Sequence, residues 1–254
     1  MQKCLRSLAV GLLGTAAWAS AFAQQPAQIG KEAQLLLETG QTAQEQGRYD
    51  DALRAYGKVI LLSTSSPKTA ALAQLRTGNV YMAQRRFDFA SVSFLRAISL
   101  DPTYALAHNN LGEALGELRQ YNRALESFNK AIAFDAKLVR ARYNIGITYG
   151  RLGNLKYAEF VFRLLVRDRP DYDLGLDGLA VTLAKSGRAN EAILLHQKAI
   201  SLNPQEPSYY YNLGVSYLIA GDTEKALEQQ KLLQVLAPEV ANRLASVIVK
   251  KQMH

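Results

Sequence analysis

The chain has 254 residues, 48% of them hydrophobic and 20% charged, with a formal net charge of +8 at pH 7. That balance belongs to a folded protein with a core rather than to a disordered chain. Its single cysteine is Cys4, so everything beyond the first few residues lacks the thiols needed for disulfides, thiolate metal sites or a cysteine nucleophile.

Residues 1–23 read as a secretory signal peptide: Lys3 and Arg6 precede a charge-free stretch from Ser7 to Ala23 that ends in Ala21-Phe22-Ala23. Gly11, Gly14, Thr15 and Ser20 loosen a stretch that would need about 20 strongly apolar residues to remain as a span. Cleavage after Ala23 is therefore expected, and contact with the membrane would follow only from retention of the segment. Cys4 precedes the apolar stretch instead of closing it, which argues against a lipoprotein. The expected location is exported, in a periplasm. Residues 24–30 form a short polar leader containing Pro26.

Beyond the leader the chain repeats itself. Ala52, Ala90, Ala124, Ala158, Ala192 and Ala226 each precede a larger residue four places on and an apolar one seven places on, at intervals of 38 and then 34 four times. Upstream of each alanine lies a second block, with glycine at Gly40, Gly78, Gly112, Gly146 and Gly214 and Ala180 in the same place. Each unit reads as two helices. In the first, positions 4, 7, 8 and 11 fall within an arc of about 100° and face a core; in the second, positions 20, 24 and 27 form one stripe. The glycine and alanine let the helices approach closely, although glycine costs about 1 kcal/mol of helix propensity.

The expected hairpins are 33–66, 71–104, 105–138, 139–172, 173–206 and 207–238, followed by a capping helix over 239–254. Val240, Leu244, Val247 and Ile248 form the apolar face of that helix, as the exposed end of a repeat stack requires. Four extra residues around Ser63 to Lys68 read as a longer loop in the first repeat.

This unit resembles the tetratricopeptide repeat, with Leu-Gly, then Tyr, Ala, Phe, Ala and Pro at fixed offsets over 34 residues. The closing proline is present at Pro102, Pro170, Pro204 and Pro238. The resemblance implies an all-α, right-handed α-solenoid of six hairpins plus the capping helix. It also implies a concave groove that holds an extended peptide or a helix of a partner protein.

Positions 2, 5, 6 and 9 lie about 160° from the core arc and are expected to line that groove. Across repeats two to four and six they give Arg76, Asn79, Asn109, Asn110, Arg140, Tyr143, Asn144, Tyr211 and Asn212. A ladder of asparagines can match the donors and acceptors of a peptide backbone, and Arg76 and Arg140 suit acidic side chains or a terminal carboxylate, giving the partner an acidic character. The alternative is that asparagine at position 6 is a common surface residue of the family. The family's carboxylate clamp is matched at Asn79, Asn110 and Arg140 but not at Leu75 and Asn144, where it wants basic residues.

Eight basic residues between Lys137 and Pro170 face only Glu159 and Asp168, an excess of +6. That excess steers an acidic partner or is a solvated outer face; an exported location argues against nucleic acid. His108 and His196 occupy core positions, and no histidine pair has the helical spacing of metal ligands. Asp171, Asp173 and Asp177 form an acidic cluster, of which Asp171 and Asp173 flank a helix start and suit its unpaired N–H groups.

No catalytic, metal or cofactor site is expected. The reading is a non-catalytic adaptor of the cell envelope. The alternatives are a non-catalytic subunit of an envelope enzyme, secretion, pilus or polysaccharide-export complex, or a self-assembling, homo-oligomeric structural protein.

Overall fold

The computed structural model describes residues 28–63 and 66–252. The expected signal segment 1–23 and most of the leader lie outside the described residues. Among the described residues the fold is all-α, with thirteen helices and no strands. They are α1 (28–45), α2 (Tyr49–Leu62), α3 (Pro67–Ala83), α4 (Phe87–Leu100), α5 (Ala105–Glu117), α6 (Tyr121–Phe134) and α7 (Val139–Arg151). There follow α8 (Leu155–Asp168), α9 (Asp173–Lys185), α10 (Ala189–Leu202), α11 (Pro207–Ala220), α12 (Thr223–Leu236) and α13 (Pro238–Gln252). The chain divides into two compact units between Leu118 and Arg119, within the turn joining α5 to α6.

In the first unit, α3 packs on α2, α4 and α5. Ala52, Tyr56 and Val59 of α2 meet Ala73 and Val80 of α3, with Ala33 and Ala43 of α1 in the same cluster. A Cβ on Gly78 would lie 2.4 Å from the ring of Phe94, so position 8 is glycine because the aromatic at position 24 of the partner helix rests on its backbone. The four extra residues of the first repeat do not lengthen the loop. They add a turn to the start of α3, which has 17 residues where α5 has 13. Pro67 stands at its first position, where its missing N–H costs nothing, the Ser66 and Thr69 hydroxyls bond at 2.8 Å, and Ala70 and Ala71 are buried.

In the second unit, successive helices pack in order from α6 to α13. The odd-numbered helices α7, α9, α11 and α13 also touch one another in sequence, whereas α6, α8, α10 and α12 touch only odd-numbered neighbours. The odd helices are therefore the closer-spaced, inner layer of this unit and the even ones its outer layer. Phe162 and Leu165 of α8 pack with Leu179, Ala180 and Leu183 of α9. At the far end, Leu244 and Ile248 of α13 close over Leu213, Tyr217 and Leu233, while Arg243 and Lys250 stay exposed.

Hairpin turns place one residue in the left-handed region. It is Gly47, Gly153, Gly187 or Gly221 in four turns, and Arg85 or Arg119, at φ 58° and 59°, in two. No helix among the described residues is long and apolar enough to cross a membrane.

Candidate partner-binding site

The residues expected in the groove fall into two groups, one in each unit. In the first unit, Arg76 and Asn79 of α3 are half-buried, as is Asn110 of α5. The Asn110 Nδ2 donates to Asn79 Oδ1 at 2.8 Å. Asn110 Oδ1 in turn accepts from Asn109 Nδ2 at 3.1 Å, and Asn109 Nδ2 also reaches Glu113 Oε1 at 2.9 Å. These amides thus join α3 to α5 and spend part of their capacity inside the protein. Asn109, expected in the groove, is wholly buried; one place from the core arc, its side chain turns into the packing instead of out of it.

In the second unit, the residues expected in the groove are Arg140, Tyr143 and Asn144 on α7 and Tyr211 and Asn212 on α11. Arg140 is exposed; the others are half-buried. Tyr143 packs against Phe162 and edge-on against Tyr172, with centroids 5.9 and 6.1 Å apart. Burial and, after it, the negative charge of Asp177 push its hydroxyl up to about 12, so it remains a neutral donor at any physiological pH. The Arg243 guanidinium lies 5.1 Å from the centre of the Tyr211 ring, which fixes that ring at the end of the inner layer.

Between these two helices the repeat pattern missed the residue that organises the face. Asp177 of α9 is buried. It accepts from Asn212 Nδ2 at 3.0 and 3.1 Å and lies 3.0 Å from Nδ1 of the fully buried His196 of α10. Neither nitrogen of that ring meets a well-aligned hydrogen-bond partner among the described residues. One turn earlier, Asp173 Oδ2 accepts from the Tyr209 hydroxyl at 2.9 Å and from Asn203 at 3.2 Å. Burial and then this bond push the Tyr209 hydroxyl well above its ordinary value. Asp173 Oδ1 accepts from the Leu174 backbone N–H at 2.9 Å, as an acid in the first turn of a helix should, while its Oδ2 and Asp177 tie α9 to α10 and α11.

The basic residues of α8 and its flanks lie on the outer layer. Glu159 accepts from both Arg163 (2.8 Å) and Arg188 (2.7 Å). Partial burial pushes its carboxyl up, but those two bonds and their charges outweigh it and hold it below the ordinary range. Asp168 is shared by Arg142 and Arg167, and Asp171 pairs with Arg169. Among the described residues no three His, Cys, Asp or Glu side chains converge as a metal set would.

A TPR repeat model matches residues 78–119, 117–153 and 182–221, and a tetratricopeptide repeat model matches residues 207–239. The chain belongs to the tetratricopeptide repeat family. Solved tetratricopeptide repeat proteins share its fold. One from Parabacteroides merdae is 17% identical, with 88% of each chain covered and a TM-score of 0.72. PilW, described as a type IV pilus biogenesis factor, is 23% identical over 84% of this chain and 98% of its own, with a TM-score of 0.72. YrrB, described as having an unusual peptide-binding site, is 21% identical over 77% of this chain and all of its own, with a TM-score of 0.53. At such identities the likeness is one of fold. Among curated proteins none matches the chain.

Within this tetratricopeptide frame, Asp177 had a signal that could have found it. It stands at position 5 of the fifth repeat, the position of Tyr143 and Tyr211. The groove positions of repeats two to four and six leave that repeat out, and it is the one in which Ala180 stands in place of the glycine. The same repeat holds His196 where Tyr56, Phe94, Phe128 and Phe162 stand elsewhere, so the alanine and the histidine are two halves of one local change.

Proposed function

We propose that this protein is a non-catalytic interaction scaffold, exported to the periplasm, that holds a segment of a partner protein on the inner face of α7, α9 and α11. The observation that carries the reading is the composition of that face. The aromatic surfaces of Tyr143 and Tyr211 flank the amides of Asn144 and Asn212, and a buried carboxylate sits between them. Aromatic rings supply contact area at low entropic cost, and amides supply the donors and acceptors that an extended backbone demands. Asn212, held by Asp177, presents its carbonyl oxygen as an acceptor for a backbone N–H. Arg140 at the rim favours an acidic residue in the partner. A pilus biogenesis factor and a peptide-binding protein use the same fold, which agrees with a role in assembling other proteins but does not select one.

Photo-crosslinking in cells tests the face. With benzoylphenylalanine at Tyr143 or Tyr211, a discrete protein adduct is expected; at Lys198 or Glu228, on the outer helices, none is expected. Adducts from the outer positions alone would refute the inner-face reading. Export is tested separately: mass spectrometry of the mature chain should give Gln24 as its first residue in a periplasmic fraction, and an intact Met1 in the cytoplasm would reject it.

A further inference from the structure

Helix α8 has two apolar faces, and only one belongs to the core. Ala158, Phe162 and Leu165 are buried. Tyr157, Phe160 and Leu164 lie on a second arc centred about 130° away, given about 100° per residue, and Tyr157 and Phe160 are 57% and 59% exposed. The repeat supplies its own control. The same three positions hold Asp51, Arg54 and Lys58 in α2, Arg123, Glu126 and Lys130 in α6, and Glu191, Leu194 and Lys198 in α10. They hold Phe89, Val92 and Arg96 in α4, and Lys225, Glu228 and Leu232 in α12. Across the second helices of the six hairpins, α8 is the one with an aromatic or aliphatic residue at all three. Nothing in the packing of a hairpin demands this, since the other repeats fold with charges there.

The second face borders a cavity. Because α6 and α8 do not pack on each other, a groove of about 430 Å3 opens between them over α7, lined by Ile132, Ile145 and Tyr149 opposite Tyr157, Phe160 and Leu164. Tyr149 and Tyr157 stack at 5.4 Å along one wall. At one end Arg142 and Arg167 share the single carboxylate of Asp168, which leaves one unbalanced positive charge, and Lys156 and Arg163 stand exposed on the same helix.

We propose that this outer groove docks an amphipathic helix of a partner protein, with leucine or aromatic side chains between α6 and α8 and acidic side chains against Arg142 and Arg167. A helix laid in a groove buries one stripe of residues at i, i+3, i+4 and i+7. A groove of this volume takes two or three such side chains, and the excess positive charge at its end selects acidic flanks. The surface is separate from the inner face, so one scaffold would hold two partners at once.

The test is fluorescence anisotropy of the purified protein with two labelled 18-residue peptides. Both carry the same leucine stripe; one has glutamate and the other lysine at its polar positions. The glutamate peptide should bind at least tenfold more tightly. Y157R/F160E places on α8 the residues that α6 carries at these positions, so the variant should keep wild-type circular dichroism and lose at least tenfold in affinity. L164K is a second, single-site probe of the same face. R142Q/R167Q should weaken binding severalfold and flatten its salt dependence. The proposal is overturned if the lysine peptide binds equally well, if neither peptide binds, or if folded Y157R/F160E or L164K binds unchanged. It is also overturned if light scattering shows a wild-type dimer that Y157R/F160E abolishes, because the occupant is then a second copy.

Discussion

Replacing Gly146 with alanine is expected to destabilise the protein by about 2 kcal/mol, whereas the same substitution at Gly57 should stabilise it by up to about 1 kcal/mol. The propensity gain is similar at both helical sites, so the difference is steric. At Gly57 nothing lies within 4 Å of an added Cβ. At Gly146 the Cβ would stand 2.6 Å from Cζ of Phe162, and at Gly178 it would stand 2.6 Å from Cε1 of the same ring. One aromatic ring is thus gripped between the backbones of α7 and α9. It is 1% exposed and packs against Tyr143, so it cannot swing aside without moving the inner face. Overpacking of this kind costs about 1–3 kcal/mol, occasionally more, which outweighs the propensity gain. Phe162→Leu alone should cost about 1–2 kcal/mol. Combined with Gly146→Ala it should cost clearly less than the sum, because the smaller side chain makes room for the methyl group. Urea denaturation followed by circular dichroism measures all four proteins. Additive costs, or a Gly146→Ala variant as stable as the wild type, would remove Phe162 as the link between these helices.

Asp177→Ala should cost about 2–3 kcal/mol, more than a surface carboxylate is worth, because it strands one partner that is half-buried and one that water does not reach. Asn212 loses its acceptor, and the buried His196 loses the one carboxylate beside it. Asp177→Asn keeps an oxygen in place and should cost less than half as much. The loss in Asp177→Ala should be recovered in part by restoring the pattern of the other repeats, Ala180→Gly with His196→Phe, since the polar ring then no longer needs an acceptor. Thermal melts of these variants decide the matter: a full-strength melt for Asp177→Ala alone would mean the carboxylate holds nothing together. The same substitution bears on the inner face, because Asn212 is oriented by Asp177. A looser Asn212 should weaken a partner that crosslinks at Tyr211 even where the fold survives.

Much of the architecture could be read before any coordinates. A spacing of 34 residues between alanines repeats four times, and an apolar arc at helical period can be buried only against a second helix and a neighbouring hairpin. Hence the hairpins, the capping helix with Leu244 and Ile248 inward, and the core positions of His108 and His196 follow from periodicity alone. The four extra residues of the first repeat read from the sequence as a longer loop. They extend α3 instead, since Pro67 suits a first turn and the alanines after it have both helix propensity and a core to enter.

The candidate site was less legible, and the reason is physical. A repeat position specifies a direction from the helix axis, which is why the sequence assigns Arg140, Tyr143, Asn144, Tyr211 and Asn212 to one face as an expectation. It does not specify a partner. Asparagines that point the same way from successive helices meet each other or a carboxylate, as Asn110 meets Asn79 and Asn212 meets Asp177, and only the separation between neighbouring helices decides which. The sequence by itself determined the repeat, the family and most of the residues that face the core. The tertiary structure decided that Asp177 organises the inner face of the second unit, and that Tyr157, Phe160 and Leu164 line an outer groove. Hydrogen bonds and cavities depend on distances between chain segments some 20 to 35 residues apart, and a one-dimensional period carries no such distance.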